Sequence, residues 1–285
     1  MSFLRLSTNC AVFDDQGQVL LSKRRDLNVW NLPGGRLDSN ESLLHAAARE
    51  VREETGLITH VERGVGLYYW EGWQRLNILF MGFPVGGELL QRTYETGENR
   101  FFAVDGLPET LRDRHLVQDA IGETRPLPQV ITTPPTQLRM TRWKLRRRYV
   151  TNFLRGKPEP RHVRFNLQAV GIVWEAESNR VLTISNQRMR SLPRVVCDGS
   201  APWSQLARFI GRYLETRLTF QWVGVWQYPQ TDSLELVFAA TVYDHALSQA
   251  EWSSAQNGAL NERDARYVQQ TSPDYLAASV WMLSV

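Results

Sequence analysis

The chain has 285 residues, 42% of them hydrophobic and 22% charged, with a formal net charge of +3 at pH 7, proportions that exclude a disordered or fibrous protein. That length suits two domains, each able to bury its own core, and the sequence holds no run of about eighteen apolar residues to cross a membrane. The first thirty residues lack a basic start followed by an apolar stretch and cleavage site, so a cytoplasmic protein is expected, and Cys10 and Cys197, which form no metal-spacing pattern, are expected to be reduced.

An apolar run, Cys10 to Phe13, reaches a turn at Asp14-Asp15-Gln16-Gly17, and a second run, Val19 to Leu21, follows; this predicts a hairpin. Lys23, Arg24 and Arg25 leave the second strand as a cluster. Guanidinium geometry suits phosphate, which makes Arg24 a candidate phosphate contact, with a solvated charge run as the competing account. After Trp30-Asn31-Leu32-Pro33-Gly34-Gly35, residues Gly35 to Leu57 fit G-x5-E-x7-R-E-(apolar)-x-E-E-x-G-(apolar) without a mismatch.

The second half of that pattern places Glu50, Glu53 and Glu54 at i, i+3 and i+4, on one face of a helix. Three like charges there repel, raise each other's pKa values and weaken the helix unless a cation sits between them. Oxygen-only ligands suit Mg²⁺ or Mn²⁺ rather than zinc. Arg49 can pair with Glu41 or hold the carboxylates in position, while His45 falls a turn too early to share their face. Gly35 is expected to let the backbone turn tightly before the helix, and Gly56 to stop it. An ordinary exposed helix would not need this spacing.

Val65 to Trp70 and Leu76 to Phe83 read as strands, and Arg100-Phe101-Phe102 with Leu107-Pro108 as a closing segment. The pattern Gly35–Leu57, with Trp30–Gly35 before it and these segments after it, resembles the Nudix hydrolase family over about residues 5 to 122. Two departures are Asn40, where Gly is usual, and Asp38, where Glu is common. The resemblance implies hydrolysis of a diphosphate linkage in a nucleotide or nucleoside diphosphate derivative. Glu50, Glu53, Glu54 and the Gly35 carbonyl would hold Mg²⁺ or Mn²⁺ as water attacks phosphorus. Arg49 would act with the catalytic glutamates, and Gly34, Gly35 and Arg24 would meet the substrate. A general base outside the pattern is implied in the Tyr94–Phe102 region, where Glu98 is preferred to Glu95. Damaged nucleoside triphosphates, nucleotide sugars, ADP-ribose and capped RNA ends remain open as substrates, and a nucleotide-sensing regulator is the alternative to an enzyme.

Residues 123–162 read as a linker, turn-rich at Arg125–Pro128, Thr132–Pro135 and Gly156–Pro160. Within it, Gln137 to Arg155 reads as a basic helix with Leu138, Leu145, Tyr149 and Phe153 along one face. Docking of that face is preferred to contact with nucleic acid. No membrane partner is expected.

Residues 163–285 echo the first 122. Val173-Trp174-Glu175 answers Val12-Phe13-Asp14, Leu192-Pro193 answers Leu32-Pro33, a helix from Trp203 to Leu214 answers the glutamate helix, and Arg266-Tyr267-Val268 answers Arg100-Phe101-Phe102. With Arg208 opposite Arg49, the glutamates become Phe209, Arg212 and Tyr213; a two-residue shift keeps only Glu215. The expected fold is therefore α/β, of the α+β type, with two tandem Nudix-type α/β/α sandwiches whose sheets are mixed and mostly antiparallel. The second lacks the catalytic set, and a homodimer or an intramolecular pseudo-dimer is expected.

Overall fold

The computed structural model describes residues 3–154, 162–176, 178–186, 189–214, 216–243, 251–254, 260–271, 275 and 279–284. Arg155, the Gly156–Pro160 turn and Glu215 lie outside the described residues, as do the side chains of Lys144 and Arg148. The first part runs β1 (Arg5–Val12), β2 (Val19–Arg24), β3 (Trp30–Asn31), β4 (Gly34–Arg36), α1 (Leu43–Thr55), β5 (Leu57–Trp70), β6 (Arg75–Gly87), β7 (Thr96–Phe102), α2 (His115–Ile121), β8 (Gln129–Ile131) and α3 (Pro135–Leu154). The second runs β9 (Asn166–Glu175), β10 (Arg180–Asn186), β11 (Met189–Ser191), β12 (Arg194–Val196), α4 (Pro202–Ile210), β13 (Gln221–Tyr228), β14 (Ser233–Val242), β15 (Glu251–Ser254), α5 (Glu262–Gln270) and β16 (Trp281–Ser284).

The predicted first turn forms as its residues dictate. The Asp14 carboxylate accepts from the N–H groups of Gln16 (3.0 Å) and Gln18 (2.8 Å), and Gly17 supplies φ +72°. The strands on either side then diverge, joined by the Phe13–Val19 bridge. β1 enters a five-stranded sheet of order β4-β1-β6-β5-β8, whereas β2 lies between β3 and β7 in a second, three-stranded sheet. Alternation along β1 explains the layering. Cys10 and Val12 face a core shared with Leu43, Ala46, Ala47 and Val51 of α1, while Ala11 and Phe13 face a core shared with Trp30, Tyr68 and Leu116. Cys10 is buried and Cys197 partly so, and both are free thiols.

The expected linker is less independent than its turn residues suggest. Gln129–Ile131 is β8, paired in parallel with Tyr68–Trp70 of β5, so the first sheet extends beyond residue 122.

Strand pairing repeats in the second part. β1 pairs in parallel with β6 from Arg5↔Arg75 to Val12↔Gly82, and β9 pairs in parallel with β14 from Asn166↔Ser233 to Glu175↔Val242. Both following hairpins turn through a short 3₁₀ segment and a left-handed residue, Gln74 in one and Asp232 in the other. Both carry a register shift at the same place, Gly64/Gly66 in β5 and Trp222/Gly224 in β13. The Cys10 N–H donates to the Pro33 carbonyl, and the Gly171 N–H to that of Pro193. The sheet of the second part joins β11-β10-β9-β14-β13-β16, with β12 on β9 and β15 on β10.

One expected match fails. Arg266-Tyr267-Val268 lies in helix α5, not in a strand; β15, paired with β10, takes the place that β7 takes beside β2. Asn261 caps that helix by accepting from the Asp264 N–H, and Tyr267 and Val268 bury against Trp226. An apolar pair one residue apart fits a helix face as well as a strand, and the cap decides it.

The two parts share one continuous core, in which α1 and Phe80 join Leu206 and Ile210 of α4 and Trp222 of β13. Their contacts are reciprocal. The Leu43 N–H at the start of α1 donates to the Gln227 side chain (2.8 Å), and the Tyr69 hydroxyl donates to the Gly199 carbonyl just before α4 (2.6 Å). Asp232 also accepts from the Ser39 hydroxyl (2.6 Å) and the Asn40 N–H (2.9 Å).

Helix α3 docks by its first turns alone. Leu138 lies against Gly72, and Arg142 donates to the Gly72 carbonyl (2.7 Å). Farther along, Tyr149 is 42% and Phe153 71% exposed, so the expected docking of all four apolar residues fails at that end.

Candidate active site

Helix α1 begins at Ser42, whose hydroxyl accepts from the His45 N–H (3.3 Å), and ends at Gly56 in the left-handed conformation with φ +81°. Its apolar face is buried in the shared core, which turns Arg49, Glu50, Glu53 and Glu54 the other way. The helix end is also pinned from β7. Asn99 Nδ2 donates to the Glu54 carbonyl (2.7 Å) and the Leu90 carbonyl (2.8 Å), and the Thr96 hydroxyl donates to the Glu54 carbonyl (3.1 Å).

Arg49 lies among the carboxylates. Its fork donates to Glu41 at 2.8 and 3.0 Å, to Glu50 at 3.0 Å, to Glu53 at 3.1 Å and to the Arg36 carbonyl at 3.0 Å. His45 meets Glu41 instead of the glutamate triad, with Nδ1 2.9 Å from Oε1. The Gly34 N–H donates to Glu54 at 3.2 Å.

The space at Gly35 is taken by a side chain. The left-handed backbone belongs to Gly34 and not to Gly35; a Cβ on Gly35 would overlap the Glu50 carboxylate. Glycine here makes room for a carboxylate pressed onto the strand. In the second part, strand register puts Val195 opposite Ala169 where Gly35 stands opposite Thr8. Its neighbour Arg194 is paired with Asp264 and Glu235.

Burial pushes the Glu54 carboxyl up to about 8, helped by the charges of Glu50 and Glu95 and opposed by the Gly34 N–H and Arg24. Burial likewise lifts Glu50 to about 7 against the pull of Arg49, with Glu53 and Glu95 adding repulsion. Both groups are oxygen donors that a divalent cation would relieve of mutual repulsion, so they fit a hard metal ion. Among the described residues, however, no three such side chains are gathered into a ready-made cage. Arg49 spans Glu50 and Glu53, and the Glu53 side chain is 58% exposed.

Glu98 lies on β7 opposite Lys23, nearest to Arg100 at 4.0 Å. Glu95, in the turn that Thr93 and Thr96 close with a hydroxyl contact of 2.9 Å, is the member of this pair whose charge acts on both Glu50 and Glu54. The Arg24 fork is engaged by Asp26 at 2.6 and 2.9 Å. Sequence reasoning missed Asn99, as well as Asn9, whose amide donates to the Leu32 (2.9 Å) and Pro33 (3.3 Å) carbonyls and holds the turn before Gly34.

Residues 3–120 match the family model described as NUDIX domain. This segment is a Nudix domain. The putative 8-oxo-dGTP diphosphatase of Bacillus subtilis (strain 168) is 37% identical over 97 residues, 34% of this chain and 65% of that protein. The NAD-capped RNA hydrolase NudC of Stutzerimonas stutzeri (strain A1501) is 33% identical over 110 residues, 36% of this chain and 39% of that protein. The chain therefore spans less than two thirds of either relative. A NUDIX hydrolase crystal structure from Nitrosomonas europaea aligns with TM-score 0.42 and 21% identity, over 47% of this chain and 81% of that one. In the Nudix domain of this protein, the glutamate helix, the Gly34–Gly35 strand and the Glu95 turn meet at one place.

Proposed function

We propose that the Nudix domain hydrolyses a diphosphate linkage in a nucleotide or nucleoside diphosphate derivative. The observation that carries this reading is the crowding of Glu50 and Glu54 against Gly34 and Gly35, where both carboxyls are pushed up to about 7 and 8. Unrelieved, such a pair costs stability; Glu50, Glu53, Glu54 and the Gly35 carbonyl are the groups that would hold Mg²⁺ or Mn²⁺. A bound cation supplies neutralisation of charge on the diphosphate. Arg49 keeps the carboxylates oriented, and Glu95, by its influence on both of them, is better supported than Glu98 as the group that takes a proton from water. Arg24 is the candidate phosphate contact, alongside its pairing with Asp26. The relatives' names point to 8-oxo-dGTP in one and NAD-capped RNA in the other, so the substrate here is placed no more narrowly than a nucleotide derivative.

The second part is, on this proposal, a Nudix-like fold without the catalytic set. Its strand pairing supports that reading: Val195 and Arg194 hold the register positions that Gly35 and Gly34 hold in the first part, and α4 ends at Ile210, before Arg212. Its role is to pack and hold the loop before α1.

The test is release of phosphate or pyrophosphate from oxidised and ordinary nucleoside triphosphates, ADP-ribose, nucleotide sugars and capped RNA, with Mg²⁺ and Mn²⁺ in turn. Turnover of at least one, abolished by EDTA, is expected. Tight nucleotide binding with no turnover under either metal would replace the hydrolase with a nucleotide sensor.

A further inference from the structure

Helix α3 presents a surface that the diphosphate chemistry leaves unused. Its twenty residues carry Arg139, Arg142, Lys144, Arg146, Arg147 and Arg148 and no acidic residue. The same helix leaves large apolar side chains in solvent: Met140 is 64%, Trp143 59%, Val150 53% and Phe153 71% exposed. Arginines already lie over rings here. Arg147 sits 4.9 Å from the Trp143 ring centre, and Arg142 sits 5.7 Å from that of Trp73. Beside the helix, Gln137, Met140 and Thr141 wall a cleft of about 320 Å³ opposite Leu27, Val29 and Arg112, with Glu109 also lining it.

We propose that this face of α3 binds a single-stranded polynucleotide, its arginines against successive phosphates and its aromatic rings against bases. Exposed aromatic surface on a soluble protein calls for a partner, and three partners are conceivable on physical grounds. A second copy of the chain would bring six positive charges against six. A membrane surface needs an apolar face separated from a cationic one, whereas here Arg139, Val150, Trp143 and Arg147 alternate around the same side at 100° per residue. Interleaved cations and rings match a strand that alternates phosphate and base. This surface stands apart from the hydrolase reading and does not depend on it.

The experiment is fluorescence anisotropy of the 285-residue chain with labelled oligouridylate and oligothymidylate over a salt series. Binding is expected to weaken with salt, with a slope near 0.7 per phosphate contact for single strands. R139A/R146A/R147A is expected to lose about tenfold or more in affinity and to flatten the slope. W143A/F153A is expected to lose a similar amount, because bases stack on exposed rings, with the slope kept. R208A/R212A, which removes charge from the exposed surface of the second part, is expected to change little. Three results would each overturn the proposal: no binding at low salt, equal losses in R208A/R212A and R139A/R146A/R147A, or binding to phosphatidylglycerol vesicles but not to oligonucleotides. Circular dichroism of each variant separates lost binding from lost folding.

Discussion

Gly64 in β5 lies directly against Trp222 in β13, so that a Cβ on Gly64 would come within 2.8 Å of the indole Cη2. The two residues occupy the same place in their respective hairpins, Gly64 opposite Phe80 and Trp222 opposite Phe238. One side supplies the ring and the other the space for it. Gly64→Val should therefore overpack the join and cost about 1–3 kcal/mol, read as a lower urea midpoint at unchanged slope. Gly64→Val should cost less in a Trp222→Ala background than in the wild type, because the two changes touch one cavity. Strict additivity of the pair would show that the ring is not what Gly64 accommodates.

Glu53→Gln and Glu54→Gln should each lower kcat by orders of magnitude while leaving the fold intact, since the amide keeps shape but loses charge and ligand strength. Between the general-base candidates, Glu95→Gln should slow turnover far more than Glu98→Gln and should alter the pH–rate profile. The reverse ranking in a parallel kcat measurement returns that role to Glu98.

Burial pushes the Glu41 carboxyl up, but hydrogen bonds from Arg49, the Asp38 N–H and His45, with the Arg49 charge, outweigh it and hold it below the ordinary range. A folded-state pKa below the unfolded value contributes stability that is complete above the unfolded pKa, about 4.3, and is lost as pH falls through the folded one. The penalty of Glu41→Gln should accordingly be largest near neutrality and shrink below about pH 4. Urea midpoints of wild type and variant across pH check this, and a penalty that grows on acidification would contradict it.

Along α3, Leu138→Asp should destabilise by about 2–3 kcal/mol through lost burial. Phe153→Asp should stay within about 0.5 kcal/mol, as substitutions on exposed surface do. Thermal melts of the two variants distinguish a helix docked at one end from one docked throughout.

The glutamate helix was legible because each of its signals is local: Ser42 and Gly56 mark its ends, and the 3.6-residue period separates Val51 from Glu50. The pairings of the second part were legible at Leu192-Pro193 and Val173-Trp174-Glu175, whose partners in the structure correspond to those of Leu32-Pro33 and Val12 in the first part. What stayed hidden depends on contacts distant in sequence. Nothing near Gly35 announces that Glu50 will press on it, and nothing near Glu95 says that its charge will reach Glu54. Tyr149 and Phe153 share a helical face with Leu138, but periodicity states which residues lie together and not whether anything covers them. The three residues of β8 were too short a signal to separate from the turns around them.

Leu43 leaning on Gln227, and Tyr69 on Gly199, are the same contact made twice with different chemistry. Two identical subunits could not do this, because in a two-fold interface the same pair of residues makes each contact twice and any change on one side appears on the other. Joined in one polypeptide, the halves also cannot separate on dilution. The loop that starts the glutamate helix is thus braced at any protein concentration, and the bracing half is at liberty to accumulate substitutions that the braced half could never tolerate.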